Sequence, residues 1–261
     1  MEHTAESNAR GPAIEFRSVF YRAGSTEVLS GLNLEIARGE SLVLLGRSGS
    51  GKTTTLKLVN RLLVPTSGEV LVNGVSNDAD VIQLRRGIGY VIQEAGLFPH
   101  FTVERNIGIV PKIKGWPEDR IHARVEELLR VVGLDPEIAS RYPHQLSGGQ
   151  RQRVGVARAL AADPEILLMD EPFGALDPLT RDELQREFLA LRRGLHKTVV
   201  FVTHDLREAL RLGSRIALME AGKLVTVLTP AEFVRSSDPW AAAYVRAFGD
   251  GLEQIADRGT A

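Results

Sequence analysis

Residues 42–53 read LVLLGRSGSGKT: four consecutive apolar side chains, then a glycine-rich octet ending in Lys52 and Thr53. A continuous apolar run marks a strand covered on both faces, unlike the alternation of a half-exposed one. Residues 46–53 match G-x-x-x-x-G-K-[ST], and the match sits between a buried strand and a helix expected to open near Lys52. In such a loop successive backbone N–H groups turn inward to form a nest for phosphate oxygens, and the helix N-terminus adds its positive dipole end. The candidate nucleotide-binding residues are therefore Gly46, Arg47, Ser48, Gly49, Ser50, Gly51, Lys52, Thr53 and Thr54. Lys52 supplies a mobile charge, and the Thr53 hydroxyl is a ligand for a magnesium ion bridging the β- and γ-phosphates.

Two further buried strands, ILLM at 166–169 and TVVFV at 198–202, alternate with helical stretches and predict a parallel α/β sheet. Before them, Ile14, Phe16, Leu32, Leu34 and Ile36 tend to alternate about a polar turn at Arg22–Ser25, as antiparallel strands do. Residues 94–163 hold no comparable buried strand. They do place Ile121, Val125, Leu128, Leu129 and Val132 at helical spacing, so a helical subdomain inserted into the sheet domain is expected there. Asp177-Pro178 reads as an N-cap followed by proline at the first helical position, and Leu184, Phe188 and Leu191 continue a core stripe. Ala221-Gly222 predicts a hairpin turn, and Thr229-Pro230-Ala231-Glu232 a capping box. Asp238-Pro239 opens a last helix whose Trp240, Tyr244 and Phe248 read as packing. The resulting division is a domain over 13–249, with its core in 14–93 and 164–235 and helices in 94–163, then a C-terminal helix and tail over 236–261. The ends, about 1–12 and 250–261, read as loosely ordered.

A magnesium-bound nucleoside triphosphate requires a carboxylate at the end of a neighbouring strand, and ILLMDE delivers Asp170 and Glu171 directly after four apolar residues. Asp170 is assigned to the metal, and Glu171 to orienting or deprotonating the water that attacks the γ-phosphate. The alternative for the pair is capping of the next turn. Ser147-Gly148-Gly149, in LSGGQRQRVGVARAL, would begin a helix with unblocked N–H groups, a second anion site. Two phosphate-binding helix starts with one carboxylate pair point to the second start serving another copy's nucleotide.

Composition excludes several classes. The 261-residue chain has no cysteine, ruling out disulfide scaffolds and thiol catalysis, and 43% hydrophobic residues place it among ordinary globular proteins. With 32 Lys+Arg against 33 Asp+Glu the net charge is −1, which lacks the basic excess of a nucleic-acid binder; no nucleic-acid partner is expected. The first ten residues, MEHTAESNAR, lack the basic and apolar regions of a secretory signal, and no apolar run approaches the about 18 residues of a membrane span. His3, His122 and His196 read as packed or surface residues; His204 differs because it ends a buried strand on the sheet edge where α/β folds bind ligands.

The phosphate loop, LSGGQ, ILLMDE and the histidine closing TVVFVTH together resemble the nucleotide-binding subunit of an ATP-binding cassette (ABC) transporter over about residues 14–235. The intervals agree as well: 23 residues separate Ser147 from Asp170, and 33 separate Glu171 from His204. The fold this resemblance implies is a P-loop NTPase (RecA-like) core with an N-terminal antiparallel β layer and an inserted α-helical subdomain. It also implies that Gln93 reaches magnesium and water and senses the transmembrane subunit, that Asp177 in GALD makes dimer contacts, and that His204 touches the γ-phosphate. Ser147, Gly148, Gly149 and Gln150 become the signature that meets the partner copy's nucleotide, and Tyr21 the ring that stacks on adenine; Phe20 is adjacent, and a core role for either ring is the alternative.

YVIQEAGLFPHFTVERNIGIVPKIKGWP, NRLLVPTSGEV and PFGALDPLTRDELQ resemble the ATPases of bacterial importers of glycine betaine, choline, carnitine or proline betaine. Many members of that group add a C-terminal pair of regulatory domains, and here 26 residues follow Arg235, so no such pair is expected. The resemblance implies a magnesium-dependent ATPase that pairs with a second copy of itself on the cytoplasmic face of the inner membrane. It would bind transmembrane permease subunits and serve, indirectly, a solute-binding protein. The alternatives are an ABC ATPase for another solute such as an amino acid or sulfonate, one in a lipid-trafficking complex, or a soluble ABC ATPase outside transport.

Overall fold

Strand β1 (Ile14–Ala23) pairs antiparallel with β2 (Thr26–Ile36), Ile14 opposite Ile36 and Phe16 opposite Leu34. This is a computed structural model, and it describes residues 11–93, 96–174, 176–195, 197–249, 252 and 255, with the side chains of 191–195 left undescribed. The expectations for residues 1–10, for His3, His196 and the side chain of Leu191, and for most of the 250–261 tail lie outside the described residues. The chain divides into two compact units, one ending at Leu84 and resuming at Thr198, the other spanning Arg85–Lys197.

In the first unit the alternation of β1 is what buries Ile14, Phe16 and Val19; Ser18, at φ 46°, makes the irregularity that shifts register between Phe16 and Val19. On its other edge β1 pairs antiparallel with β4 (Ser67–Val72), which continues into the short β5 (Val75–Ser76). Underlying a separate sheet is β3 (Ser41–Leu45), buried throughout and flanked on both sides by parallel partners, β8 (Thr198–Thr203) and β9 (Arg215–Glu220). Two-sided covering is why β3 and β8 read as unbroken apolar runs. Ala221 (φ 46°) and Gly222 (φ 78°) supply the two left-handed residues that turn β9 into the antiparallel β10 (Lys223–Leu228).

Helix α1 (Lys52–Val59) follows β3, and α2 (Val81–Gly87) runs across the division between the units in sequence. After the second unit come α7 (Leu206–Leu212), α8 (Pro230–Val234) with the expected Thr229/Glu232 capping box, and α9 (Pro239–Phe248) capped by Asp238. Of the aromatic stripe of α9, read from the sequence as packing, Tyr244 and Phe248 are half-buried and Trp240 is the more open ring. Trp240 is 42% exposed, and only Ala241 of this helix is fully buried. α9 lies against the short helices α7 and α8.

The second unit contains β6 (Ile88–Val91) parallel to β7 (Ile166–Asp170), and the helices α3 (Val103–Ile113), α4 (Glu118–Val131), α5 (Gly148–Leu160) and α6 (Pro178–Leu195). The stripe Ile121, Val125, Leu128 and Leu129 of α4 is buried, as its spacing predicts. α3 and α4 approach closely at Gly108, where an added Cβ would lie 2.7 Å from Ile121 Cγ2. The buried Arg153 of α5 joins three elements: Nη1 donates to Val132 O at 3.0 Å, and the guanidinium meets Glu183 and Glu187 of α6 at 3.2 and 3.4 Å.

Candidate functional site

In the first unit, strand register sets the site. Leu45 at the end of β3 stands beside Thr203 of β8 and Leu218 of β9, so Gly46 and His204 leave β3 and β8 at one level, next to Met219 within β9. Neighbouring strands lie about 4.8 Å apart. Gly46 has no room for a side chain: an added Cβ would be 2.3 Å from Met219 O and 2.6 Å from Ser50 Oγ. Gly51, at φ 97°, is excluded on two counts, its left-handed conformation and a Cβ position 2.6 Å from Leu29 Cδ2. Between them Arg47, Ser48 and Gly49 are exposed, while Ser50 is buried.

Gly51 stands at the N-cap of α1 with no side-chain cap, and the first turn carries no acid. An anion placed at this end of the helix would meet its leading amides and the positive end of its dipole. Lys52 is 5% exposed, and its Nζ donates to Gly46 O at 2.8 Å, Arg47 O at 2.7 Å and Ser50 Oγ at 3.4 Å. The ammonium is held against loop carbonyls, which closes the loop on its own lysine. Thr53 and Thr54 are half-buried, and Thr55 is turned back to Gly51 O at 3.0 Å. His204 is exposed at the end of β8. Phe20 and Tyr21 are both half-buried; the Phe20 ring packs over Gly31, 3.3 Å from where a Cβ would stand, and Tyr21 sits opposite Leu29.

The second unit forms two more groupings. Val91 of β6 is in register with Met169 of β7, so Gln93 and Glu171 each follow by two residues, and Gln93 Nε2 donates to Glu171 Oε2 at 3.5 Å. Asp170 is 4% exposed. Glu171 has φ 44°, a left-handed backbone conformation that residues other than glycine adopt at a cost. Tyr90, which the sequence reading did not assign, belongs here: burial first and then the Asp170 carboxylate push its hydroxyl up to about 12, so it stays protonated at neutral pH. Its signal was its place in the YVIQ run that leads to Gln93.

Ser147 and Asp177 form the third grouping. Ser147 caps α5: its Oγ accepts from Gln150 N at 3.2 Å, while Gln150 Oε1 accepts from Ser147 N at 2.9 Å. This corrects the expectation of a wholly unblocked helix start, because the capping box engages the Gln150 amide and leaves Gly148 and Gly149 as the N-terminal amides without an intrahelical acceptor. Asp177 caps α6, accepting from Leu179 N and Thr180 N at 3.1 Å each. Hydrogen bonds from the Thr180 side chain and then its backbone hold the Asp177 carboxyl below its ordinary range. The two caps are neighbours, since a Cβ on Gly149 would be 3.3 Å from Thr180 Cγ2.

In the second unit Gln93 and Asp170 offer oxygen donors, and in the first Thr53 offers a hydroxyl; each is of the kind that magnesium, a hard cation, takes. No cluster of three or more His, Cys, Asp or Glu occurs among the described residues.

A glycine-rich loop between a buried parallel strand and an uncapped helix, with an antiparallel β layer in the same unit, defines a P-loop nucleotide-binding α/β protein. Residues 29–174 match the ABC transporter family, and the chain belongs to it. It is 53% identical over 214 residues to the choline transport ATP-binding protein OpuBA of Bacillus subtilis, covering 82% of this chain and 56% of that protein. It is 52% identical over 231 residues to the glycine betaine uptake system ATP-binding protein YehX of Escherichia coli, covering 85% and 75%. Against the first of these curated relatives the chain spans little more than half of their length. Among solved structures, the dimeric bacterial ABC transporter cassette MJ0796 is similar at a TM-score of 0.77 and 36% identity, covering 83% of this chain and 98% of that one.

Proposed function

We propose that this chain is the ATP-hydrolysing subunit of an ABC importer for quaternary-amine osmoprotectants. The observation that carries the solute class is the 52–53% identity to subunits whose names specify choline and glycine betaine transport. What supports the chemistry is the loop geometry around Lys52 and the strand-end placement of Asp170, Glu171 and Gln93. In this reading Lys52 and the amides of Gly46–Thr54 bind the phosphates, and His204 contacts the γ-phosphate. Thr53, Gln93 and Asp170 hold magnesium, which when bound neutralises the charge that develops on the phosphates. Glu171 takes the proton of the attacking water, with Gln93 orienting its carboxylate. Tyr21 lies against the base.

Two copies pair, Ser147, Gly148, Gly149 and Gln150 of one meeting the nucleotide of the other, with Asp177 at the contact; the dimeric cassette MJ0796 supports this assembly. In this reading the chain sits peripherally on the cytoplasmic face beside separate permease subunits and serves, through them, a solute-binding protein; its identity to transport ATP-binding proteins supports the permease partnership. The permease docks on the segment Gln93–Asn106, which carries the exposed Phe98 and the ring pair Phe98–Phe101. The working division is a 13–249 cassette, with 14–93 and 164–235 as core and 94–163 as helical subdomain.

Uptake tests the solute. Deleting the gene in its host and following labelled glycine betaine, choline and carnitine under salt stress should show loss of entry of at least one. Unchanged entry of all three, with loss of another solute's uptake, removes the osmoprotectant reading and leaves the ABC family assignment standing.

A further inference from the structure

His204 stands between two buried neighbours of β8 and α7, and two buried polar groups there have no part in the chemistry described so far. Thr203 is 3% exposed and Glu208 7% exposed. The Thr203 hydroxyl donates to Glu208 Oε2 at 2.6 Å and accepts from Asp205 N at 3.0 Å. Asp205 in turn caps α7, its Oδ1 accepting from Arg207 N at 2.8 Å. Each hydrogen bond spans His204, from residue 203 to 205 and from 203 to 208. The helix to which they tie the turn is fixed in the core by Leu206, Ala209 and Leu210, each 0% exposed.

A threonine ending a strand of otherwise apolar residues, and a carboxylate buried in the first turn of a helix, are costly choices unless each satisfies the other. Here they do, through a short hydroxyl–carboxylate bond of the stronger kind. The consequence is a turn with little freedom, carrying the exposed imidazole of His204 at the level where Gly46 leaves β3. We propose that Thr203 and Glu208 are positioning residues for His204, setting the direction of its ring toward the phosphate loop without touching nucleotide themselves.

The inference rests on the proposed role of His204 only for its activity readout; the positioning is read separately by the ring's own NMR signals. In the full chain labelled on histidine, the His204 ring resonances are identified by their loss in His204→Ala. Thr203→Val removes the hydroxyl at nearly constant shape and should shift or broaden those resonances, while Thr203→Ser restores them. Turnover of ATP should fall by about tenfold to a hundredfold in Thr203→Val, the scale of an ångström-sized misplacement, with KM for ATP unchanged and with Thr203→Ser close to the parent. In a His204→Ala background Thr203→Val should cause no further loss. Should Thr203→Val fail to fold, Glu208→Gln, which keeps an acceptor, and Glu208→Met, which removes it, repeat the comparison from the other side. Unchanged His204 resonances in Thr203→Val and Glu208→Met overturn the inference, as does an equal loss of turnover with and without His204. If His204→Ala itself keeps full turnover while the resonances still respond, the positioning stands and the role of His204 at the γ-phosphate falls.

Discussion

Asn106 of α3 gives the sharpest stability prediction. Its side chain is 0% exposed, and its carboxamide binds the preceding loop at four points: Oδ1 accepts from Phe98 N at 2.8 Å, and Nδ2 donates to Phe98 O at 3.1 Å, Phe101 O at 3.1 Å and Thr102 O at 3.0 Å. The clamp holds a loop that displays Phe98, 42% exposed, and Phe101, over which Arg105 lies at 4.5 Å from the ring centroid. Asn106→Ala strands one N–H and up to three carbonyls. Water can reach the exposed side of the loop, and Thr102 O also accepts the helical Asn106 N–H at 2.9 Å, so the net loss is that of about one donor and one acceptor. At about 1–3 kcal/mol for each buried group, the destabilisation is about 3 kcal/mol. Urea unfolding should show a lower midpoint with the slope unchanged, and limited proteolysis should open a new cut between residues 97 and 102. A loss below about 0.5 kcal/mol, within the range of ordinary surface substitutions, with the loop still uncut, would refute the clamp.

Three other outcomes follow from the same geometry. In a Glu171→Gln background, where ATP is held, light scattering should show ATP shifting monomer to dimer; adding Ser147→Trp should abolish the shift while ATP still binds the monomer, because the bulky ring blocks the α5 terminus. Lys52→Ala, which removes the ammonium lying 2.7–2.8 Å from two loop carbonyls, should weaken ATP binding itself, as measured by titration calorimetry. Asp163 is held below its ordinary range chiefly by its hydrogen bond to Lys197, an ion pair of 2.8 Å. A depressed carboxyl stabilises the fold above the unfolded-state value of about 3.9, and the contribution is lost as pH falls through the lower folded value. Asp163→Asn, which tolerates the native φ of 53°, should therefore lower the urea midpoint at pH 7 and match the parent in strong acid; with Asp163 62% exposed, the difference at pH 7 is under about 1 kcal/mol.

The elements legible in the sequence were those whose pattern and environment agree. LVLL, ILLM and TVVFV are apolar runs because β3, β7 and β8 are buried throughout, and the α4 stripe is regular because one face packs and the other is charged. Other elements left no such trace. β6 has four residues, one of them a glycine; α2 buries none of its side chains and so has no periodicity to read; α3 carries Gly108 and Pro111 in its interior. The phosphate loop was legible because its mechanism fixes glycines at set positions, and Gly46 and Gly51 do lack room for a side chain. The capping box that turns Gln150 back on Ser147 does carry the S-x-x-Q spacing, which the reading of that segment as an anion site passed over, whereas the conformation of Glu171 and the Asn106 clamp depend on a backbone angle and on contacts that no spacing encodes.

The central claim is that this chain hydrolyses ATP with Glu171 as the base for the attacking water. The direct measurement is phosphate release from magnesium-ATP by the purified chain, parent against Glu171→Gln, with ATP binding measured on the same samples. The account predicts magnesium-dependent turnover by the parent, and a variant that binds ATP as well but turns over about 10² to 10⁴ times more slowly, the usual share of a positioned base. Equal turnover by the two proteins would contradict it.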